Sequence, residues 1–286
     1  MESFCIKTNN QTIIHYLLNK FENIGLEDVY LSLRQFKIYH NIIVHYLGDD
    51  ISTFYNESSE ILTDTILTFY EPILLRRLLN VNYFYFSDKE RKQIADICSF
   101  HLTTDQTESV LRKNYIYIAC LKYLCEHKST ILDGFVNFRL KDYIKLLDSH
   151  IDTAVNSFLI EKEYSEFINL LKMYITSSPS CCHEVHLIYA GKESILMDED
   201  NHIIDVSDNI FNAKYLSDIS FSSNDYALNA LLTLIPEKIT IHIIDQEDEF
   251  IRTLKLIFDN RIFICNDCSI CQAYKLTHQT EMSTRK

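Results

Sequence analysis

Residues 131–175 form a long run of helix-compatible sequence, and this run constrains the fold more than any other feature. Its apolar residues recur every three or four positions, which is typical of an amphipathic helix with one buried face. They are Leu146, Leu147, Ile151, Ala154, Val155, Phe158, Leu159, Phe167, Leu170, Leu171, Tyr174 and Ile175. Gly134 is predicted to separate this helix from the one before it. Pro179 is predicted to end it, because proline cannot continue a helix and restricts the residue that precedes it.

The sequence on either side of this run predicts an α+β fold with a predominantly helical middle. Alternating β-branched and aromatic residues predict a small N-terminal α/β cap over residues 1–52, and helical spacing predicts a helical domain over 53–178. After that the period changes to that of strands, so residues 179–272 are predicted to form a C-terminal α/β subdomain. Within it, a strand, a ten-residue helix and a strand predict a short βαβ unit. Residues 273–286 are typical of a polar tail.

Local signals predict where several helices begin or bend. Pro72 lies inside an apolar stripe and should kink that helix, since its ring clashes with the preceding turn. Ser87 and Glu90 have the spacing of a capping box, which predicts a helix start at that point. Asp245 follows a predicted strand and is expected to be the N-cap of the next helix.

The charge and the scarcity of glycine argue against whole classes of function. Twenty-seven basic residues against 40 acidic residues leave a formal charge of −13, so no surplus of cations is available to neutralise phosphates. This balance argues against nucleic-acid binding. Four glycines and three prolines in 286 residues leave no GxGxxG, GxxxxGK[ST] or GxSxG motif. Nucleotide folds that need a glycine loop, and the nucleophile elbow of hydrolases, are therefore unsupported.

The sequence predicts a soluble, cytoplasmic protein that makes no membrane contact. No basic segment followed by an apolar run is present near the first residue, so no signal peptide is visible. The most apolar segment, residues 61–79, is interrupted by four charged residues and by Pro72, and it is too polar to span a bilayer. Nine cysteines, an odd number, in such a chain indicate reduced thiols or metal ligands and argue against a disulfide framework.

One cluster of reactive residues stands out, the cysteine triplet Cys265, Cys268 and Cys271. Two-residue gaps let successive thiolates turn toward a common centre, as zinc knuckles and iron–sulfur loops require. A bacterial ferredoxin loop would have a fourth cysteine at the position of Lys275. The spacing is compatible with a structural zinc ion or an iron–sulfur cluster, with free thiols that close a strand, or with a redox or disulfide pair. A fourth metal ligand would come from elsewhere in the chain, and the candidates are Cys181, Cys182, His183, His186 and His278.

The other cysteines and one histidine are interpreted as structural residues. His242 lies in a predicted strand among isoleucines and is expected to be a satisfied core histidine. Cys98, Cys120 and Cys125 lie within or beside predicted helices, where a cysteine behaves as a small buried hydrophobic residue.

Arg139 and Lys141 are candidates for an anion or partner contact. They lie beside the aromatic residues Phe135, Phe138 and Tyr143, and an anion could bind to them. Ion pairs with the acidic face of the long helix are the simpler expectation, and the available carboxylates are Glu161, Glu163 and Glu166.

Several segments between residues 132 and 271 resemble the YtxC family of sporulation proteins from endospore-forming Firmicutes. The matching segments are GFVNFRLKDY (134–143), FLIEKEYSEFINLLKMYI (158–175), EVHLIY (184–189), ALLTLIPEKITIH (230–242) and CNDCSIC (265–271). The resemblance implies a cytoplasmic, sporulation-associated protein of uncharacterised activity. It implies no reaction, cofactor or catalytic residue, so no functional residue is transferred from it.

Three functions are compatible with these features. The first is a non-enzymatic, sporulation-associated protein whose C-terminal subdomain carries a structural metal bound by cysteines. The second is an enzyme that uses a crevice at the carboxyl ends of the strands, with Asp245 as acid or base and one cysteine of the triplet as nucleophile. The third is an interaction module in which Arg139 and Lys141 contact another sporulation protein.

Overall fold

The computed structural model describes four stretches of the chain, residues 1–36, 38–191, 193–204 and 222–275. The chain divides into two units, Met1–Glu161 (unit 1) and Lys162–Lys286 (unit 2). Helices and two separate sheets are present, which confirms the predicted α+β class. The predicted domain boundaries stay predictions, and most of the predicted polar tail lies outside the described residues.

Unit 1 contains a four-stranded mixed sheet in the order β2-β3-β1-β4. β1 and β2 each pair with β3 in antiparallel fashion, and the short β4 pairs with β1 in parallel. Strand alternation places Phe4, Ile6 and Thr8 of β1 on the buried face. The elements of this part are β1 (Glu2–Thr8), α1 (Gln11–Glu22), β2 (Val29–Phe36), β3 (Tyr39–Tyr46) and β4 (Ser129–Ile131).

The helices of unit 1 share one hydrophobic core with this sheet. Ser87 and Glu90 form the predicted capping box, with the Ser87 hydroxyl and the Glu90 carboxylate each accepting a backbone N–H bond from the other residue. The helices are α2 (Ile51–Thr65), α3 (Glu71–Asn82), α4 (Asp88–Thr104) and α5 (Gln106–Glu126). Within the part of the chain that the structure describes, no helix has the length and apolarity needed to cross a membrane.

The region before Pro72 departs from regular α-helix. A π-helical segment, Ile66–Tyr70, separates α2 from α3, and Pro72 lies in the first turn of α3. Proline has no N–H to donate to the carbonyl four residues earlier, and its ring needs space in the preceding turn. The wider π turn supplies that space.

The long run of residues 131–175 forms two helices, α6 (Leu132–Arg139) and α7 (Lys141–Ser177). Their junction is Leu140, with φ −97° and ψ 36°. The prediction that Gly134 separates two helices is wrong, since Gly134 lies inside α6. A single glycine costs a helix only about 1 kcal/mol relative to alanine, and the burial of neighbouring Phe135 and Val136 offsets that cost. α7 ends two residues before Pro179, as predicted.

Unit 2 contains a second four-stranded sheet in the order β6-β5-β7-β8. β5 and β6 form an antiparallel hairpin, whereas β5 pairs with β7 and β7 pairs with β8 in parallel. The predicted βαβ unit is therefore present as β7, α9 and β8. The elements are β5 (Glu184–Ala190), β6 (Glu193–Met197), α8 (Ser223–Leu234), β7 (Lys238–Ile243), α9 (Glu249–Phe258) and β8 (Ile262–Ile264).

The start of α9 differs from the prediction. Asp248 is the N-cap, and its carboxylate accepts hydrogen bonds from the backbone N–H groups of Phe250 (3.0 Å) and Ile251 (3.4 Å). Asp245 lies in the irregular connection before it and is exposed. Both aspartates satisfy the N-cap preference, so residue type alone does not choose between them.

The two faces of the sheet in unit 2 have different character. One face joins the hydrophobic core of α8 and α9, and its strand residues are Val185, Leu187, Tyr189, Ile239 and Ile241. Because side chains alternate along a strand, the other face presents Glu184, His186, Ile188, Lys238, Thr240 and His242. Polar and titratable groups thus lie on the face opposite α8 and α9.

Candidate metal centre

The cysteine triplet is shaped by the change from strand to helix after β8. The N–H of Cys265 donates to the carbonyl of Ile241 at 2.9 Å and so continues the parallel ladder with β7. Asp267 then turns the chain with a positive φ of 101°. Residues 269–275 are helical, and the N–H of Gln272 donates to the carbonyl of Cys268 at 3.1 Å. Cys271 consequently lies in the first turn of this helix.

His242 of β7 joins the three cysteines in one cluster. The Nδ1 atom of His242 and the three Sγ atoms all lie within 4.8 Å of one another. The Sγ atom of Cys271 is 3.7 Å from that of Cys265 and 3.9 Å from that of Cys268. The Nδ1 atom lies 3.3 Å from Sγ of Cys271 and 3.4 Å from Sγ of Cys268. Four electron-pair donors therefore surround one point.

These separations fit a single tetrahedral ion. Zinc–sulfur bonds of about 2.3 Å and zinc–nitrogen bonds of about 2.0–2.1 Å give tetrahedral ligand–ligand edges of roughly 3.5–3.8 Å. Four of the six ligand–ligand distances lie within a few tenths of an ångström of those edges, and the other two are within 4.8 Å. A multi-iron cluster distributes its thiolates over different iron atoms and requires them to be farther apart. The geometry thus favours one ion over an iron–sulfur cluster.

Burial and hydrogen bonding tune the four ligands differently. His242 and Cys271 are both 2% exposed. Burial, aided by the neighbouring His186, lowers the pKa of His242, which keeps its ring in the neutral form that metals bind. Burial also raises the pKa of the Cys271 thiol to about 11. Burial acts in the same direction on Cys268, but hydrogen bonds from the Cys271 backbone N–H and the Cys265 thiol outweigh it and lower the pKa.

An outer layer of hydrogen bonds lies behind His242. Its Nε2 atom is 3.1 Å from Nδ1 of His186. The Nε2 atom of His186 faces Oε1 of Glu184 at 3.9 Å. That carboxylate accepts hydrogen bonds from Thr240 Oγ1 at 2.6 Å and Lys238 Nζ at 2.9 Å. The cluster therefore continues across the sheet to an anchored carboxylate.

The four predicted fourth ligands that the structure describes lie outside this cluster. Cys181 is exposed, and Cys182 packs at the edge of the unit 2 core. His183 is exposed and its Nδ1 atom lies 2.8 Å from Oε2 of Glu237. His186 contacts His242 and not the sulfur atoms in the described contacts. His278 lies outside the described residues.

The sequence favoured a satisfied core histidine over a ligand at His242. The residue is buried, but on the face of the sheet opposite α8 and α9, and its Nδ1 atom faces the cysteines. The signal that points to it is the parallel register, in which Ile241 pairs with Ile264. This register brings the residue after Ile241 level with Cys265. Spacing along the chain carries no such information, since the first cysteine of the triplet lies 23 positions after His242.

The remaining candidates are not part of this cluster. Arg139 and Lys141 are exposed at the junction of α6 and α7, and the Arg139 guanidinium lies 5.8 Å from the ring centroid of Tyr123. Among the described ion pairs, none joins Arg139 or Lys141 to the predicted glutamates. Asp245 shares no described contact with a cysteine of the triplet.

Comparisons with known proteins agree with the resemblance found in the sequence. The model of the YtxC-like family matches residues 56–263, which include His242 and end just before the cysteine triplet. The Uncharacterized protein YtxC of Bacillus subtilis (strain 168) is 20% identical over 216 residues, covering 69% of this chain and 76% of that protein. No solved structure matches the chain. Since the family model covers well over half of the sequence, the chain belongs to the YtxC-like family.

Proposed function

We propose that this chain is a non-enzymatic protein in which one zinc ion, bound by His242, Cys265, Cys268 and Cys271, stabilises unit 2. The observation that carries this proposal is the mutual approach of the four ligand atoms within 4.8 Å. Three thiolates and one imidazole are a common ligand set of structural zinc. Soft sulfur ligands in a tetrahedral arrangement favour zinc over magnesium, calcium or manganese.

A structural role is supported by the completeness of the ligand set. Catalytic zinc sites have three protein ligands and leave the fourth position to water or substrate, whereas structural sites use four protein ligands. With four protein atoms around one point, no position remains for a substrate. The ion would polarise no reacting group, so its contribution is to stability.

The strand next to the cluster, β8, is the element that such an ion would stabilise most. β8 has three residues, and the side chains of Phe263 and Ile264 are 50% and 39% exposed. So short and exposed a strand buries little apolar surface of its own. A zinc ion would connect the end of β8 and the helical residues 269–275 to His242 in β7, replacing the missing hydrophobic contacts.

Metal analysis of two matched double variants tests this proposal. The full-length wild type should carry about one zinc per chain, and Cys268→Ser combined with Cys271→Ser should remove it. Cys181→Ser combined with Cys182→Ser changes the same number of thiols in the same unit and should keep the zinc. A folded wild type without metal, or zinc loss only in the second variant, would contradict the proposal.

The biological setting, a cytoplasmic protein of sporulating cells, is proposed on the family resemblance. In a spore-forming host, deletion of the gene should lower the number of heat-resistant spores. Replacing the gene by the Cys268→Ser, Cys271→Ser form should lower that number to the same extent. Unchanged spore numbers after deletion would show that sporulation does not require the protein.

Contact with another sporulation protein through Arg139 and Lys141 is a second proposal. It is favoured by the exposure of both side chains at the α6–α7 junction, where none of the described ion pairs involves them. Charge reversal of both residues should abolish capture of a partner from sporulating cells while the zinc content stays unchanged. Equal capture by wild type and variant would reject this surface.

A further inference from the structure

We propose that His186 is a positioning residue for the zinc centre, because it selects the tautomer of His242 that presents Nδ1 to the metal. This inference rests on the proposed zinc site. It concerns a residue that contacts none of the sulfur atoms in the described contacts and lies one layer further from the ion.

The two nitrogens of His242 face different partners. Nδ1 lies 3.3 and 3.4 Å from two sulfur atoms, and Nε2 lies 3.1 Å from Nδ1 of His186. A neutral imidazole has one N–H donor and one lone pair. A metal ligand needs its lone pair on the side of the metal, so the proton of His242 belongs on Nε2. In the described contacts, the acceptor for that proton is a lone pair on Nδ1 of His186.

The tautomer of His186 follows from the same argument. With Nδ1 accepting, its own proton lies on Nε2, which faces the carboxylate of Glu184. The distance of 3.9 Å is too long for a hydrogen bond but favours the N–H over a lone pair at that position. The opposite arrangement would direct the lone pair of His186 Nε2 at a carboxylate and its Nδ1 proton at the proton of His242.

Glu184 is itself held in place by the sheet. The parallel register pairs Glu184 with Lys238 and His186 with Thr240. Both partners donate to the Glu184 carboxylate, from Thr240 Oγ1 at 2.6 Å and Lys238 Nζ at 2.9 Å. These bonds lower the pKa of Glu184 against the opposing effect of burial, so the carboxylate is charged. A fixed negative group therefore orients His186, and His186 orients His242.

Ring geometry supports a hydrogen bond and not a stack. The centroids of the two imidazoles are 5.3 Å apart and their planes are inclined by 36°. The closest polar contact is between ring nitrogens. Outer hydrogen-bond partners of this kind fix the orientation of a ligating histidine and raise its basicity.

Zinc affinity of His186 variants of the full chain tests the proposal. His186→Leu removes the acceptor and is expected to weaken zinc binding about 10- to 100-fold, the usual effect of losing an outer partner. His186→Asn returns an amide oxygen near the position of Nδ1 and should restore most of the affinity. His183→Leu changes an exposed histidine of the same strand region and is the matched control, with affinity expected to equal that of the wild type.

Competition with a chromophoric chelator measures the affinity, and the ligand-field bands of the cobalt-substituted protein report the ligand set. A merely structural role would reduce the stability of the Leu and Asn variants alike and leave zinc affinity unchanged. Thr240→Val removes one of the two hydrogen bonds that hold the Glu184 carboxylate, and it should weaken zinc binding by a smaller factor. This variant tests the same positioning role if His186→Leu does not fold.

Equal zinc affinity of the wild type, His186→Leu and Thr240→Val would overturn the positioning role while the zinc site itself stood. A folded wild type that binds no zinc would instead overturn the proposed function. The two failures are therefore distinguishable in one experiment.

Discussion

Each unit contains a cluster of polar side chains that is wholly or partly buried, and the two clusters differ in how their groups are compensated. In unit 1, Glu71 of α3 accepts a hydrogen bond from Arg112 Nη1 at 2.7 Å and a second from the Tyr143 hydroxyl. All three residues are buried. The negative carboxylate and the positive guanidinium compensate each other in charge and the tyrosine adds a neutral donor, although Nε of Arg112 is buried without a described hydrogen-bond partner.

The candidate ligand atoms of unit 2 lie together and, in the described contacts, are hydrogen-bonded to one another. As thiolates and a neutral imidazole, the forms that would bind zinc, these groups lose their thiol hydrogen bonds and repel one another unless a cation lies between them. Buried polar groups need partners. The proposed zinc ion would be that partner in unit 2, whereas the cluster of unit 1 supplies its own opposite charges.

Removal of the metal should have the largest effect and should affect unit 2 alone. Structural zinc contributes about 10–16 kcal/mol of apparent binding free energy, which is as large as the whole stability of a typical domain, about 5–15 kcal/mol. With a chelator, amide hydrogen exchange measured by mass spectrometry should become fast in β7 and β8. Exchange in β1 and β3 should stay slow.

If the amides of β7 and β8 exchange equally slowly with and without chelator, unit 2 is stable without an ion. That result would contradict the proposed difference between the two units. Restoration of slow exchange by added zinc is the matching control.

Arg112→Met should have the next largest effect and should affect unit 1 alone. It leaves the Glu71 carboxylate buried without its cation, and breaking a buried pair in this way costs about 3–5 kcal/mol. The free energy of unfolding from urea titration measures the loss, and zinc content should stay at the wild-type value. Arg112→Met combined with Glu71→Gln removes both charges and should recover most of the stability. A loss of less than about 1 kcal/mol in the single variant would show that this pair contributes no more to the free energy of unfolding than an exposed ion pair does.

Tyr143→Phe should have the smallest effect of the three and adds a dependence on pH. It removes one hydrogen bond to a charged group, which costs about 1.5–3 kcal/mol. Burial, followed by the charge of Glu71, raises the pKa of Tyr143. A folded-state pKa above the unfolded value gives stability that is complete below the unfolded pKa of about 10 and is lost as the pH rises beyond it.

The wild type should therefore lose stability above pH about 10 more steeply than Tyr143→Phe. Urea titrations of both proteins at several alkaline pH values measure the two slopes. Parallel slopes would show that the Tyr143 hydroxyl ionises equally well in the folded and unfolded chain.

Local features of the fold were predictable because their causes lie within a few residues. Ser87 and Glu90 satisfy each other across one helical turn, and the change of period after Pro179 marks the second sheet. The spacing of the cysteine triplet likewise brings three sulfur atoms within reach of one another. Each of these signals is contained in a short window of sequence.

The partners that complete both polar clusters were not predictable in this way. His242 reaches the triplet through the parallel pairing of β7 with β8, and Arg112 reaches Glu71 across 41 residues. Its position among isoleucines suggested a core histidine, and His242 is buried, but burial alone does not reveal which atom its Nδ1 faces. The register between β7 and β8 determines which atom Nδ1 faces, and this register depends on the packing of the whole unit.

X-ray absorption at the zinc edge of the purified full-length wild type tests the central claim most directly. The account predicts one zinc per chain with three sulfur neighbours at about 2.3 Å and one nitrogen neighbour at about 2.0–2.1 Å. The nitrogen neighbour should be replaced in His242→Ala. A folded protein without zinc, or a spectrum with scattering from a second metal, would contradict it.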